Sequence, residues 1–340
     1  MQALHYIKSD QLAWKEVPLP TLTSPIDALV RPTAVAACDL DRNIANGKSP
    51  FPGPFILGHE FCGVVEAVGD DVKGIRAGDQ VIASFQPSCG ACECCGRGHS
   101  SVCTEVPNTS MYGIGKSGGD WGGALSDRVC VPFADYNLML LPDHIDPVSI
   151  ASGSDNLADG LRAVDTPLTS RPGASVLIAG DGSIPLYAVL CAQHLGAGQI
   201  TFASQDAFAL SVAESLGVSC QPITEWPRKL KTHDITFDCT GSKAGLSCVI
   251  KSTAPFGVCT SASIYFSDET AMPLRDMYMK GLTFKTGRVN SAANLSRVVG
   301  LVTEGLKPDR IQHAVVPWLD AIPAFREIPT SQKLIIKRQD

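Results

Sequence analysis

The hydrophobic positions in the second half of the chain fall into short runs, and each run is followed by a longer stretch of helical character. The runs are rich in β-branched residues and read "SVLIAG" (175–180), "QITFAS" (199–204), "DITFDC" (234–239) and "GVCTSASIY" (257–265). Short strands that alternate with helices are typical of βαβ units, because two parallel strands need a crossover connection. This half therefore predicts an α/β domain with a parallel sheet.

The first half follows another pattern. Residues 1–17, "MQALHYIKSDQLAWKEV", alternate apolar and polar positions like a strand and lack the basic start and apolar run of a signal peptide. The chain has 340 residues, enough for two domains, and a net charge of −6 without a basic block. No apolar run approaches the roughly 20 residues of a membrane helix. We expect a cytoplasmic protein with neither nucleic acid nor membrane as partner.

The turn after the first β-rich run carries a glycine pattern, "GDGSIP" (180–185). Gly180 and Gly182 allow a tight turn and close backbone approach, and a helix that begins at Ser183 and Ile184 can receive a pyrophosphate. Pro185 replaces the third glycine of a dinucleotide fingerprint, which the first turn of a helix tolerates. The turn predicts a dinucleotide site.

The end of the second β-rich run bears on the choice between NAD and NADP. The run ends at Ser204, followed by Gln205, where NAD enzymes usually carry an acid that binds the ribose. Ser204 therefore brings no carboxylate to repel a 2′-phosphate. However, no Arg or Lys follows before Arg228, and Asp206 is close by. The pattern favours NAD and leaves NADP open.

Thirteen cysteines are present, and five of them lie in "SCGACECCGRGHSSVC" (88–103). In a reducing compartment, clustered thiols bind metals more often than they form disulfides. Four of them have the spacing C-x2-C-x2-C-x7-C and predict a closed tetrahedral zinc site, which is structural: Cys89, Cys92, Cys95 and Cys103. Cys94 breaks this spacing and is expected to be a bystander. A disulfide-rich loop and an iron–sulfur cluster are the alternatives.

The other cysteines occur singly within apolar runs, with one exception discussed below. We interpret them as small buried hydrophobic residues: Cys62, Cys130, Cys191, Cys220, Cys239, Cys248 and Cys259.

A second group of metal-ligand types is spread over three stretches. "GHEFCGVVEAVG" (58–69) has the form G-H-E-x2-G-x5-G, "AACDLD" (36–41) precedes it, and "SGSDNLADG" (152–160) lies downstream. Together with the cysteine loop, and in this order, these stretches resemble the zinc-dependent medium-chain alcohol dehydrogenase family. The resemblance covers essentially the whole chain, and both zinc motifs are specific.

The resemblance implies a catalytic zinc site. Cys38 and His59 match the first two ligands, Asp155 falls at the position of the third, and Glu60 matches the acid beside them. Asp41 matches the acid that orients His59 through its other ring nitrogen. Three protein ligands leave one position for an alcohol or carbonyl oxygen. The alternative for Asp155 is a helix cap.

The implied function is hydride transfer between NAD or NADP and an alcohol/carbonyl pair, with one catalytic and one structural Zn(II) per chain. Leu40 stands where the family usually has the Ser or Thr that relays the alcohol proton, and Asn43 stands where some members have a relay histidine. A reductase of C=N or conjugated C=C bonds would need that relay less and is the first alternative. A non-catalytic protein that binds a dinucleotide and zinc is the second.

The resemblance also implies the fold and the partners. A GroES-like, β-rich catalytic domain in two segments (1–157 and 290–340) flanks a doubly wound Rossmann domain (158–289). Family members are usually homodimers or homotetramers that pair through the Rossmann sheet edge, here "CTSASIYF" (259–266). The partner is a small-molecule substrate.

Further contacts are expected around the two ligands of the reaction. Candidates for the nicotinamide are Thr240, Gly287 and Arg288. Candidates for the substrate pocket are Asn43, Phe51, Phe55 and Trp121.

Overall fold

The structure is a computed structural model that describes residues 1–265, 267, 269–311, 313–329 and 332–339. The chain forms two compact units. The first contains Met1–Ala158 and Asn290–Asp309, together with the segment that starts at His313, and the second consists mainly of Asp159–Val289. None of the described helices is long and apolar enough to cross a membrane.

The strands and helices of the described residues are numbered in chain order. The strands are β1 Gln2–Lys8, β2 Gln11–Glu16, β3 Ala28–Ala37, β4 Phe55–Ile56, β5 Glu60–Val68, β6 Gln80–Ala83, β7 Val129–Val131, β8 Leu138–Leu140, β9 Ser175–Gly180, β10 Gln199–Ser204, β11 Ser219–Pro222, β12 His233–Cys239, β13 Thr253–Ser261, β14 Thr283–Thr286, β15 His313–Pro317 and β16 Lys333–Lys337. The helices are α1 Asp39–Ala45, α2 Glu93–Gly96, α3 Ala134–Asn137, α4 Pro147–Ile150, α5 Asn156–Ser170, α6 Ser183–His194, α7 Ala207–Ser215, α8 Lys243–Lys251, α9 Leu274–Lys280, α10 Ser291–Thr303 and α11 Ala321–Glu327.

The first unit is built on a mostly antiparallel sheet with the order β15-β16-β3-β5-β6-β8, and β7 also pairs with β3. Strand β3 is central because it pairs with β16, β5 and β7. Leu334 lies opposite Ala37, and Glu60 lies opposite Ala36. The carboxyl end of β3 therefore meets the amino ends of β5 and β16. A second sheet, β2-β1-β4, completes the unit.

The second unit is a six-stranded parallel sheet with the order β11-β10-β9-β12-β13-β14. In chain order this is 3-2-1-4-5-6, the Rossmann arrangement. The strands are nearly continuous apolar runs, as in β9, where five of six residues are buried. Such runs are typical of parallel strands covered on both faces. The predicted combination of a β-rich unit and a parallel α/β unit is confirmed.

The strand that was expected at the edge of the parallel sheet lies inside that sheet. The run "GVCTSASIY" predicts a strand up to residue 265, but β13 ends at Ser261 and pairs with both β12 and β14. The edge beyond it is β14, whose residues are mostly exposed. The expectation that "CTSASIYF" forms the edge is therefore wrong for its described residues, and Phe266 lies outside them.

Candidate metal centres and dinucleotide edge

The expected catalytic ligands are brought together in the first unit by three chain segments. Cys38 follows β3 directly and precedes α1, His59 precedes β5, and Asp155 precedes α5. One ligand atom from each of Cys38, His59, Glu60 and Asp155 lies within 4.8 Å of the others. His59 and Glu60 are fully buried. A site of this kind depends on strand pairing, because its members are far apart along the chain.

The separations within the cluster suit a tetrahedral zinc ion. His59 Nε2 lies 3.2 Å from Asp155 Oδ2. Ligand bonds of 2.0–2.1 Å in a tetrahedron require about 3.3 Å between two such atoms. The donors are a thiol, an imidazole and carboxylates, which are the groups that zinc takes in proteins.

Asp41 holds two of these residues in place. Its Oδ1 lies 3.2 Å from His59 Nδ1, and its Oδ2 accepts a 3.0 Å hydrogen bond from the Cys38 backbone N–H. Asp41 is fully buried in the first turn of α1. The contact with Nδ1 directs Nε2 of His59 toward the cluster, as an orienting carboxylate does at a metal-bound histidine.

The charges within the cluster shift its pKa values strongly. Burial, reinforced by Asp155, raises the pKa of the Cys38 thiol to about 12. Burial alone would lower the pKa of His59, but Asp41 and Asp155 outweigh it and hold this pKa well above its usual value. Against the effect of burial, His59 holds the pKa of Asp155 below its usual value. The cluster thus favours a positive charge, which a proton on His59 or a divalent cation can supply.

A buried polar network adjoins the cluster, and it includes two residues that no sequence motif marks. Lys333 Nζ donates a 2.8 Å hydrogen bond to Glu60 Oε1 and also bonds the side-chain oxygen of Asn156. The Asn156 backbone N–H donates to Glu60 Oε2 at 3.0 Å, and its side-chain nitrogen lies 3.3 Å from Cys38 Sγ. Burial raises the pKa of Glu60 to about 7, although Lys333 opposes the rise. Asn156 is adjacent to Asp155, whereas Lys333 has no local sequence signal.

Removal of the Lys333 charge should destabilise the first unit. We expect Lys333→Met to lower the free energy of unfolding by about 3–5 kcal/mol, because the Glu60 carboxylate would stay buried without its cation. Lys337→Met is the matched control, since Lys337 is exposed on the same strand and should change stability by less than about 0.5 kcal/mol. Urea denaturation of both variants tests this. Equal losses would contradict it.

The cysteine loop also gathers its four predicted ligands. Sγ of Cys92 lies 3.9 Å from that of Cys103, and Sγ of Cys89 lies 4.0 Å from that of Cys95. Zinc–sulfur bonds of 2.3 Å in a tetrahedron require about 3.8 Å, whereas a disulfide requires about 2.05 Å. All thirteen cysteines lie among the described residues, and none of them forms a disulfide. Cys94 lies outside the four-cysteine group.

Local backbone geometry shapes this loop for thiolates. Backbone N–H groups of Cys95 and Thr104 lower the pKa of the Cys92 thiol to about 6. Gly90 has φ of 75°, and a Cβ there would lie 2.6 Å from the Tyr136 ring. Only glycine suits that position, because both the conformation and the space exclude a side chain.

The prediction that the single cysteines are all buried is correct for four of them: Cys62, Cys191, Cys248 and Cys259. It is wrong for Cys130, Cys220 and Cys239, which are half-buried. Each of these three lies at a partly accessible position of its strand.

The expected substrate residues do not form one group. Asn43 is exposed on α1, and Phe51 is half-buried. Phe55 is buried in β4, with its ring centroid 5.2 Å from that of Tyr6, which is core packing. Trp121 lines a cavity of about 470 Å³, and the described lining of that cavity includes no member of the Cys38–His59–Asp155 cluster.

The glycine turn of the second unit has the geometry of a dinucleotide cradle. Gly180 has φ of 139°, and a Cβ on it would lie 2.4 Å from the Cys239 carbonyl oxygen. Gly182 has φ of 86° and precedes α6, and no side chain of the described residues caps the helix there. Ser183 and Ile184 form the first turn of α6, at the carboxyl end of the central strand β9. A bare backbone before a helix N-terminus fits a pyrophosphate.

The other expected cofactor residues lie at the same edge or near it. Ser204 is fully buried at the end of β10. Gln205 turns its amide toward Thr224, with a 2.9 Å hydrogen bond to the carbonyl oxygen. Thr240 donates to Asp238 at 2.7 Å after β12. Gly287 and Arg288 follow β14, and the Gly287 carbonyl accepts a 2.9 Å hydrogen bond from Arg162.

A β-rich unit with a cysteine–histidine–carboxylate cluster and a unit of Rossmann order together define a medium-chain dehydrogenase architecture. The family model "Alcohol dehydrogenase GroES-like domain" matches residues 24–143. Alcohol dehydrogenase TADH from Thermus sp. ATN1 is 30% identical and has a TM-score of 0.91, and the match covers 100% of both chains. The chain belongs to the zinc-dependent medium-chain alcohol dehydrogenase family.

Curated relatives share part of their length with this chain. A zinc-type alcohol dehydrogenase-like protein of Schizosaccharomyces pombe is 36% identical over 54% of this chain and 47% of that protein. L-threonine 3-dehydrogenase of Bacillus subtilis is 34% identical over 64% of this chain and 59% of that protein. The matched region thus spans about half to three fifths of these curated relatives.

Proposed function

We propose that this protein is a zinc-dependent oxidoreductase that transfers a hydride between a nicotinamide cofactor and a small alcohol/carbonyl pair. The observation that carries the proposal is the buried cluster of Cys38, His59, Glu60 and Asp155, whose donors have zinc-ligand chemistry. The Thermus relative, which matches over its full length, is named an alcohol dehydrogenase. The Bacillus subtilis relative, named an L-threonine 3-dehydrogenase, supports a small hydroxyl or carbonyl substrate.

Cys38, His59 and Asp155 would hold the catalytic zinc, with Glu60 beside them. A zinc ion with three protein ligands supplies a Lewis acid and one open position for the substrate oxygen. Asp41 keeps Nε2 of His59 directed at the cluster by its contact with Nδ1. Lys333 balances the Glu60 charge, so this carboxylate stays close without competing fully for the cation.

The remaining parts of the proposal concern the cofactor and the assembly. Gly180, Gly182 and the first turn of α6 would receive the pyrophosphate of NAD or NADP. The four-cysteine loop would hold a second, structural zinc. The exposed edge strand β14 supports a homodimer or homotetramer. Thirteen cysteines, all described and none in a disulfide, favour a reducing compartment, the cytoplasm.

Leu40 distinguishes this chain within the proposal. It lies half-buried in the first turn of α1, two residues after Cys38, and its side chain has no oxygen to pass a proton. If the natural substrate is an alcohol, water must carry that proton, and Leu40→Ser should raise alcohol turnover. General acid–base assistance is worth about 10²–10⁴-fold, of which a working water path leaves only part to be regained.

The test is a panel of alcohols, aldehydes, imines and enones, followed through the absorbance of the reduced nicotinamide. Wild type, Leu40→Ser and Leu40→Ala are compared, because the alanine variant gives space without a hydroxyl. A rise confined to alcohols and aldehydes, and to the serine variant, supports the proposal. Wild-type activity only on imines or enones would favour C=N or C=C reduction instead. No turnover at full zinc and cofactor occupancy would favour the non-catalytic alternative.

A further inference from the structure

The glycine turn of the second unit places a carboxylate at the end of the neighbouring strand. Asp181 lies between Gly180 and Gly182 and is exposed. Its Oδ1 accepts a 2.5 Å hydrogen bond from Ser204 Oγ and bonds of 3.1 and 3.2 Å from the backbone N–H groups of Gln205 and Asp206. The carboxylate of Asp181 therefore sits against the last residue of β10 and the two residues that follow it.

That position is where a dinucleotide-binding sheet usually presents an acid from the second strand. The acid accepts hydrogen bonds from the ribose hydroxyl of NAD and repels the 2′-phosphate of NADP. In this chain the strand ends in Ser204, which is fully buried and bonded to Asp181. The carboxylate comes instead from the turn after β9, one strand away.

We propose that Asp181 is the specificity-determining acid of the dinucleotide site and selects NAD over NADP. This inference rests on the proposed function, since it concerns the same cofactor. Three donors hold Oδ1, which fixes the carboxylate in one orientation and leaves Oδ2 for a ribose hydroxyl. All three donors are uncharged. Among the described residues no lysine or arginine is bonded to Asp181, so the negative charge of its carboxylate is not neutralised.

The surroundings strengthen the charge selection. Asp206 caps α7 by accepting hydrogen bonds from the N–H groups of Phe208 and Ala209 at 2.7 and 3.1 Å, which adds a second carboxylate to this edge. Gln205 also follows the strand end, and its side-chain amide donates a hydrogen bond to the Thr224 carbonyl. Among the described residues, Asp181 has a second carboxylate nearby and no cation bonded to it, which makes an unfavourable place for a phosphate dianion.

Ser204 therefore holds Asp181 in place by its hydrogen bond. Its position does not need an acid of its own, because Asp181 supplies the carboxylate. The substitution Ser204→Asp would place a second carboxylate against that of Asp181, in place of the hydrogen bond from Ser204. We expect it to weaken binding of both cofactors by disturbing the turn.

The test measures dissociation constants of NAD and NADP by calorimetry for wild type, Asp181→Asn and Glu214→Gln. Glu214 is an exposed acid near the end of α7, so its variant controls for net charge alone. Asp181→Asn keeps an acceptor at Oδ1 but removes the charge. We expect its preference for NAD over NADP to fall at least about tenfold, through weaker NAD and stronger NADP binding. Glu214→Gln should keep the wild-type ratio.

Asp181→Ser serves as a second variant. It is needed because the asparagine of Asp181→Asn precedes Gly182, and an Asn-Gly pair can deamidate back to aspartate. Thermal unfolding of each variant establishes that the second unit is intact. An unchanged ratio, or an equal rise in affinity for both cofactors, would overturn the inference and leave Asp181 a structural tie. If wild type binds neither cofactor, the proposed function itself fails, and the inference fails with it.

Discussion

Replacing Asp155 with asparagine is expected to lower turnover by at least about 10³-fold, because the variant loses an anionic ligand of the catalytic zinc. Stabilisation of charge by a metal ion is worth several kcal/mol, and each 1.36 kcal/mol is a factor of ten in rate. The Asp155 carboxylate faces His59 Nε2 at 3.2 Å. The amide of asparagine has nearly the same shape, so the fold and the cofactor affinity should stay close to wild type.

Three measurements separate this result from a helix-capping role. They are zinc content per chain, steady-state rate and the midpoint of urea unfolding. Asp143→Asn is the control, since Asp143 is an exposed acid nearby in the sequence and outside the cluster. Asparagine caps helices about as well as aspartate, so a mere cap would keep wild-type zinc and rate in the variant. That outcome would refute Asp155 as a ligand.

Motifs of short spacing are the part of the molecule that the sequence predicts best. The four loop cysteines span residues 89–103, and the backbone can close such a loop around one ion without help from the rest of the fold. The Gly180 turn is similarly local, because its conformation follows from glycine at positive φ. The strand at residues 175–180 also matches β9 at both ends, since a continuous apolar run between turn residues leaves little choice.

Contacts between distant segments are the part that the sequence does not predict. Lys333 reaches Glu60 across 273 positions, and it does so because β16 pairs with β3 in one register. A single buried lysine at the start of an apolar strand gives no local sign of its partner. The same holds for Asp181, whose hydrogen bonds to the end of β10 depend on the pairing of β9 with β10.

The role of an aromatic residue and the end of a strand are ambiguous in the sequence for a related reason. Phe55 is as suitable for a core as for a pocket, and only its packing against Tyr6 decides between them. The run after Gly257 continues to be apolar beyond Ser261, so its hydrophobicity does not mark where β13 ends. The position of β14 outside β13 follows from the crossover between them, which sequence periodicity does not encode.

Removal of one loop cysteine is expected to have the largest effect on stability. Structural zinc contributes on the order of 10 kcal/mol to the folding of small zinc domains, and all four thiolates are needed to close the site. Cys95 is only 4% exposed, and its Sγ lies 4.0 Å from that of Cys89 within the four-cysteine group. Cys95→Ser should therefore lose the loop zinc and lower the midpoint of unfolding by several degrees or more.

Cys94→Ser is the matched control because it removes a thiol one position away that lies outside the group. It should keep the wild-type zinc content and change stability by less than about 0.5 kcal/mol. Metal analysis by mass spectrometry gives the zinc per chain, and calorimetric unfolding gives the stability. We expect about one zinc ion less per chain in Cys95→Ser and none less in Cys94→Ser. Equal metal loss in the two variants would show that Cys94 shares the site, and the ligand set of the loop would then have to be reassigned.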